Sequence, residues 1–575
     1  MSTSSHTHHR ISLLASAAMA LCFPAQGAGP SVDAGSLLRQ TEQELKTPKT
    51  KPARKTAKLT PTPAPSASET TVNVRSFKFA GNTLIEADKL SNALAAYVNR
   101  PLTLAQLKEA TDVVTNTYRE AGWTVRAYLP KQEINGGVIT LQIVEAVFGG
   151  AFMQGQEPHR IEASRLVEMA EANLRKDQPL HADDLDRALL LLDDLPGISV
   201  AGNLAQGQND GETKLAISAI DDALVSGNAT IDNYGARATG IERLSLNLNL
   251  NSPARRGDLL STNFMQTRGT SYTRVSYSLP MGNNGARVGA HASSLRYKVL
   301  TSYDDKASGT RGTADTAGLD ASYPLLRSQL SNVNVTWSYD NKTLENYATD
   351  ILNSNYKIKT SSLGLNSSSI DNWGGGGSTS AYATVTQGRV NNEGSANAQA
   401  DADGARTAGS YSKLNVGLNR LQSINANLSF YAALSAQVAS KNLDSSERIY
   451  LGGATGVRAF PASEAGGAAG RTLTLELRQR LDNAFTLTGF YDYGHVTVNK
   501  HNANASNGAA ISAVNTYALQ GFGASLAWMD GKGTEVKATL AKRSAANPNA
   551  DTTTFMDGDK TKNTTRLWLS AGIAF

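Results

Sequence analysis

The strongest constraint on this chain is a period of two. Across residues 222–575 helical spacing largely vanishes, and short alternating segments are separated by loops rich in Gly, Asn, Ser and Asp. Leu244, Leu246, Leu248 and Leu250 alternate with Ser245, Asn247 and Asn249. Leu428, Phe430, Ala432 and Leu434 alternate with Ser429, Tyr431 and Ser435, and Leu473, Leu475 and Leu477 with Thr474, Glu476 and Arg478. Successive strand side chains point to opposite faces, so each segment has one apolar and one polar face. A half-buried soluble sheet has that pattern too. A soluble sandwich of this size would need many inward aromatics, yet aromatics are only 6% of the chain. In a membrane barrel the apolar face meets acyl chains and the polar face lines a wet lumen. The sheet must close, because lipid cannot satisfy an open edge.

Candidate strands begin near 225, 239, 257, 270, 285, 315, 329, 352, 377, 409, 424, 471, 484, 515, 534 and 565. They predict a 16-stranded antiparallel transmembrane β-barrel over residues 222–575, an even strand number as in bacterial outer membranes. The last strand alternates through Leu567, Leu569, Ala571 and Ile573 to the terminal Phe575. A final aromatic in this position resembles the signal read by barrel-assembly machinery.

The N-terminal part is organised differently. Ile11 to Phe23 is an apolar run of 13 residues behind a polar, weakly basic start, the length of a signal peptide and too short to span a bilayer. Small residues before the next junction predict a signal peptide over 1–27. Cleavage there removes Cys22, the single cysteine, so the exported chain would owe nothing to disulfides. Residues 28–45 hold a short polar helix, Asp33 to Leu45, with Leu38, Thr41 and Leu45 on one face. Residues 46–71 combine Lys46, Lys49, Lys51, Arg54, Lys55 and Lys58 with Pro48, Pro52, Pro61, Pro63 and Pro65. That composition cannot bury a core and reads as an extended linker. The net charge of +5 is too small to argue for nucleic acid.

Residues 72–145 and 146–221 read as two copies of one small α+β unit. In the first, Val74 to Phe79 is a strand, Gly81-Asn82 a turn, and Leu84, Leu90 and Leu94 have helical spacing. Pro101-Leu102 with Leu107 begins a second helix, and Trp123 to Leu129 and Val138 to Val144 are strands. The second copy repeats this punctuation with Pro179-Leu180, Leu185 and Gly197. The order β-α-α-β-β resembles the POTRA domain, a periplasmic module placed ahead of outer-membrane barrels.

Two segments within the barrel region stand apart from simple alternation. Gly452-Gly453-Ala454-Thr455-Gly456-Val457-Arg458-Ala459-Phe460-Pro461 is a glycine-rich loop with one arginine, lacking the lysine and following helix of a phosphate loop. Phe490-Tyr491-Asp492-Tyr493-Gly494 lies on a strand. Parity puts Leu487, Tyr491 and Tyr493 toward lipid and Phe490, Asp492 and Gly494 toward the lumen, so a carboxylate faces inward.

The loop resembles the V-R-G-[YF] motif at Val457, Arg458, Ala459 and Phe460, and the strand resembles the F-x-D-x-G motif at Phe490, Asp492 and Gly494. Both mark the superfamily of POTRA-plus-barrel outer-membrane proteins. With the N-terminal helix, linker and two repeats, the chain resembles the two-partner secretion transporters (TpsB family, of the haemolysin-activator and filamentous-haemagglutinin-transporter type). Ala459 departs from the usual glycine. The resemblance implies the outer membrane of a Gram-negative bacterium, periplasmic POTRA domains and a helix that plugs the pore. It also implies a TpsA-type exoprotein recognised by those domains and passed outward through the barrel. Arg458 and Asp492 would form an ion pair inside the barrel. Biogenesis would involve the barrel-assembly machinery and outer-membrane lipids.

Nothing in the sequence calls for a cofactor, metal or enzyme. His159, His181, His291, His495 and His501 are scattered, and Asp401-Ala402-Asp403-Gly404 lacks the later ligands of a calcium loop. A passive porin would explain the barrel but not the repeats. A barrel-assembly factor would share both motifs but would usually carry more POTRA copies and no plug helix.

Overall fold

The computed structural model describes residues 32–45, 71–134, 136–209, 211–303, 309–462 and 464–575. The expected signal peptide over 1–27 and nearly all of the Lys/Pro-rich stretch lie outside the described residues.

Among the described residues, sixteen antiparallel strands close into a barrel in sequence order, with the last, Thr565–Ala574, pairing the first, Val225–Asp232. The observed strand starts run from 225 to 565 and each falls within four residues of the position read from the sequence. At the closure Phe575 and Gly227 exchange backbone hydrogen bonds of 3.0 and 2.8 Å. The strands Arg311–Arg327, Ser331–Ala348 and Ile351–Asp371 have 17, 18 and 21 residues. A bilayer core needs only about 9–11, so these three extend beyond it. Val275, Leu319, Leu363, Leu418, Leu434 and Leu540 are exposed on the outer face, an apolar belt that only lipid can cover.

Each periplasmic repeat folds as strand, two helices and two strands, with the last strand central in a three-stranded sheet. In the first, Val138–Glu145 lies between Ser76–Ala80 and Val125–Tyr128. In the second, Glu212–Asp221 lies between Val147–Met153 and Ile198–Gln206. The helices cover one face of each sheet over separate apolar clusters, around Leu107, Val114 and Leu141 and around Leu166, Leu192 and Ile217. The repeats join through main-chain bonds, Ala182 N donating to Gly122 O at 2.8 Å and Thr124 N to Leu180 O at 3.2 Å. Trp123 meets His181 edge-on at 4.8 Å. The second repeat is fastened to the barrel turns by Asp194 with Arg327 at 2.7 and 2.8 Å, and by Arg165 with Asn283.

Three local readings are corrected. Val74 to Phe79 is not one strand: it breaks at Arg75, and Thr71–Val74 pairs instead with Arg100–Thr103. Pro101 and Leu102 therefore sit in a short strand rather than opening a helix. The helix begins at Leu104, where Thr103 and Gln106 form a reciprocal capping box. The lumen is also less polar than alternation implies. Tyr272, Leu295, Leu344, Tyr356 and Ile358 face inward and are buried, because the lumen is filled by other parts of the chain.

Candidate functional site

Two segments occupy the lumen. One is the helix α1 (Ala34–Leu45). Ala34, Leu37 and Leu38 are buried in a cluster with inward side chains including Tyr272, Leu295, Tyr297, Leu344 and Tyr411. Thr41 is buried beside them and bonds back to Leu37 O at 2.9 Å. Around this apolar stripe the contacts are polar. Ala34 N donates to Asn346 Oδ1 at 2.9 Å, Ser445 Oγ to Asp33 Oδ1 at 2.7 Å, and Arg39 Nε to Arg448 O at 3.1 Å. Glu44 pairs with Arg243, which also holds Asp232.

The other is the loop joining the strands Leu428–Ala439 and Ala469–Arg480. It turns inward and packs Leu451, Val457, Ala459 and Phe460 against Phe490, Val496, Tyr517 and Leu519 of the wall. The structure brings every residue of the two short motifs together here. Arg458 Nε and Nη2 donate to the two oxygens of Asp492, each at 2.8 Å, and Arg458 N donates to Oδ2 at 3.1 Å. The guanidinium also stacks on the Phe490 ring, its carbon 3.5 Å from the centroid. This planar fork and stack use geometry that lysine lacks. Gly494 lets the loop approach: a Cβ there would lie 2.9 Å from Val457 Cγ2. Phe460 is fully buried under the guanidinium of Arg543, 4.4 Å from its ring centre. The Ala459 methyl lies where a Cβ on Gly521 would be, so the wall supplies the space that glycine at 459 would otherwise leave.

Several partners were not singled out from the sequence. Glu476 Oε1 accepts from Arg458 Nη1 at 2.8 Å, and Trp568 Nε1 donates to Arg458 O at 2.8 Å. Glu476 was within reach: it stands on the polar face of its strand, and the register pairs it with Phe490. Two further clusters carry no local motif. Glu464 is buried where the loop leaves the lumen, accepting from Asn547 Nδ2 and Gly558 N, both at 3.0 Å. Burial, with Asp557 and Asp559 nearby, pushes its carboxyl up to about 7 despite those two bonds. Glu447, on the short turn Ser445–Glu447 at the loop's entry, accepts from Lys342 at 3.0 Å and pairs with Lys413 at 2.6 Å.

Asp401 caps its own loop, accepting from Thr407 N at 2.9 Å and Ala408 N at 3.0 Å. His495 follows Gly494 on its strand, on the face opposite Asp492. No group of three or more potential ligands suited to a metal ion occurs among the described residues.

Comparison with known proteins follows this architecture. Residues 211–518 match the family model of the haemolysin secretion/activation proteins ShlB/FhaC/HecB, and residues 72–146 match that of the ShlB-type POTRA domain. The heme/hemopexin transporter protein HuxB of Haemophilus influenzae (strain 86-028NP) is 25% identical over 527 residues, covering 89% of this chain and 91% of the relative. The outer membrane transporter CdiB of Escherichia coli is 26% identical over 327 residues, 54% of each chain. The solved structure of CdiB from Escherichia coli superposes with a TM-score of 0.66 at 19% identity, covering 95% of this chain and 100% of that one. Two periplasmic repeats, a closed barrel and a matching family model over more than half its length together establish that this chain belongs to the ShlB/FhaC/HecB family, the POTRA-plus-barrel outer-membrane transporters of two-partner secretion.

Proposed function

We propose that the periplasmic repeats capture an extended segment of a TpsA-type exoprotein by strand addition, and that the exoprotein then passes outward through the barrel once α1 vacates it. The observation carrying this reading is the sheet order of the repeats, which leaves Ser76–Ala80 and Ile198–Gln206 as edge strands. An edge strand offers unpaired N–H and C=O groups, and pairing with backbone accepts many sequences. The chain acts as a conduit rather than a catalyst, with unfolded polypeptide as its cargo. Its polar helix serves as the resting plug, and the Arg458–Asp492 pair keeps the inward loop on the wall. Barrel-assembly machinery reads the final strand and Phe575 during insertion among outer-membrane lipids.

A photo-crosslinking residue at the exposed Lys78 tests this in the full-length protein, co-expressed with a candidate TpsA-type exoprotein. Crosslinks from Lys78 to that protein's N-terminal segment are expected. Crosslinks only from barrel positions would sink the assignment of recognition to the repeats.

A further inference from the structure

The turn Ser445–Glu447 meets the N-terminal half of α1 directly and shares Lys342 with it. Its carboxylate divides between two wall strands, with one oxygen 3.0 Å from Lys342 Nζ and the other 2.6 Å from Lys413 Nζ. The three charged groups are nearly excluded from solvent, with side-chain exposures of 4%, 7% and 3% for Glu447, Lys342 and Lys413. The backbone is fixed as well: Lys413 Nζ and Gln437 Nε2 donate to Glu447 O at 3.0 and 3.1 Å. A short turn fastened at so many points is a rigid object, since its polar groups cannot be released into an apolar lumen unpaired.

The helix rests directly on this turn. Gly35 brings its backbone against Ser445 and Ser446, where a Cβ would collide with the Ser445 hydroxyl and lie 2.9 Å from Ser446 N. Asp33 accepts from Ser445, and Arg39 donates to the carbonyl of Arg448, the residue after the turn. Glu42 of the helix lies 4.0 Å from the same Lys342 that holds Glu447.

We infer that the Ser445–Glu447 turn is the seat of the lumen helix, with Glu447 a positioning residue clamped by Lys342 and Lys413, so that this cluster sets how readily α1 leaves the pore. The inference rests on the proposed role of α1 as a plug. Two physical features favour such a device. The lysines keep their partner when the helix departs, so release leaves no buried charge unpaired. Between the turn and the helix, the interactions lost are the glycine contact and the hydrogen bonds of Asp33 and Arg39, while Lys342 gives up Glu42 but keeps Glu447 and Arg243 gives up Glu44 but keeps Asp232.

Single-channel recording in planar bilayers tests the seat, using full-length protein whose barrel assembly is checked by heat-modifiable gel mobility. Five proteins are compared: the parent, Glu447→Gln, Gly35→Val, a deletion of residues 31–70, and Glu447→Gln within that deletion. Each substitution is expected to raise the open-to-closed ratio by about 5- to 150-fold, the range of ordinary coupling energies. Within the deletion background Glu447→Gln should change nothing further. That null effect separates a seat from a general loosening of the barrel. Equal opening by Glu447→Gln with and without the helix would overturn the inference. So would closed channels in both point variants while the deletion opens the pore. If Glu447→Gln fails to insert, Gly35→Val decides alone, because it leaves the charged cluster intact: an open channel supports the seat and a closed one refutes it. A deletion that leaves conductance unchanged would instead refute the plug itself.

Discussion

The two occupants of the lumen are built on opposite plans. The inward loop is joined to wall strands at both ends and is fixed by a buried guanidinium between two carboxylates. The helix enters from outside the barrel sequence and is held by one apolar stripe with a fringe of polar contacts. Withdrawing the loop would strand Asp492 without its cation and leave Glu476 with Arg478 alone, whereas withdrawing the helix exposes Leu37, Leu38 and Ala34, separates Glu44 from an Arg243 that keeps Asp232, and leaves the wall lysines paired with Glu447. A segment whose removal leaves a buried wall charge unpaired is permanent, and one whose removal leaves every such charge with another partner is removable. On the proposed reading, one lumen thereby contains a fixed lining and a movable stopper.

The sharpest way to break this contrast is to attack the fixed half. Arg458→Ala should cost about 3–5 kcal/mol of local stability, because it leaves Asp492 buried without a cation, and Asp492→Ala less, because Arg458 keeps Glu476. Both should abolish secretion while heat-modifiable mobility still reports an inserted barrel. The double alanine mutant should be no worse than either single one, since the shared interaction is already gone. Arg458→Lys should rescue little, having neither the fork nor the stack on Phe490. Normal secretion by both alanine mutants would mean that the loop is no more essential than the helix.

The movable half predicts the opposite phenotype. Deleting residues 31–70 should raise conductance in planar bilayers and leave the barrel folded. Leu38→Ala should do the same more weakly, its lost burial costing about 2–5 kcal/mol if the site cannot collapse. Unchanged conductance in the deletion would remove the distinction between lining and stopper.

The end of the loop offers a pH test of smaller size. Glu464, held at about 7 by burial, takes up its proton more readily in the docked loop than when exposed to water. The docked arrangement is therefore fully favoured below the ordinary carboxyl range and loses that advantage as pH rises through 7. Proteolysis of the segment 544–564, which closes over Glu464 through Asn547 and Gly558, should accelerate between pH 5 and pH 8. The opening equilibrium changes by at most about tenfold per pH unit in that window. Glu464→Gln should remove the dependence, and equal cleavage rates across the range in the parent would contradict it.

How much of this was legible in the sequence follows from the range of each interaction. Strand alternation is local, so all sixteen barrel strands emerged from it, and parity alone turned Asp492 inward. The Arg458–Asp492 contact joins residues 34 apart in sequence and emerged only through motif resemblance. Glu447, Lys342 and Lys413 carry no such mark, since their meeting depends on which strands curve toward each other across the lumen. The apolar inward faces at Leu295, Leu344 and Ile358 were hidden for a related reason. Alternation reveals two faces but not that a helix from elsewhere will cover one of them. Arg75 was missed because a one-residue break between two strands has no periodic signal.

The smallest effect tests how closely the fixed half is fitted. Ala459 stands where the family motif has glycine, and its methyl group fills the space left by the missing Cβ of Gly521. Its carbonyl accepts from Arg543 Nε at 3.3 Å, and its backbone does not adopt positive φ, so nothing in its conformation requires glycine. Ala459→Gly should therefore be tolerated, costing about 0.8 kcal/mol for the buried methyl and about 0.4–1 kcal/mol through the freer unfolded chain. Gly521→Ala should cost more, because two methyl groups cannot share that space and the wall also presents Lys542 O at 2.9 Å. Combining the two moves the methyl from loop to wall and should recover part of the loss, a non-additivity expected only for residues in contact. The midpoint of heat-modified gel mobility ranks the four proteins. If Gly521→Ala is as harmless as Ala459→Gly, the loop tip has slack, and its permanence rests on the Arg458 charges alone.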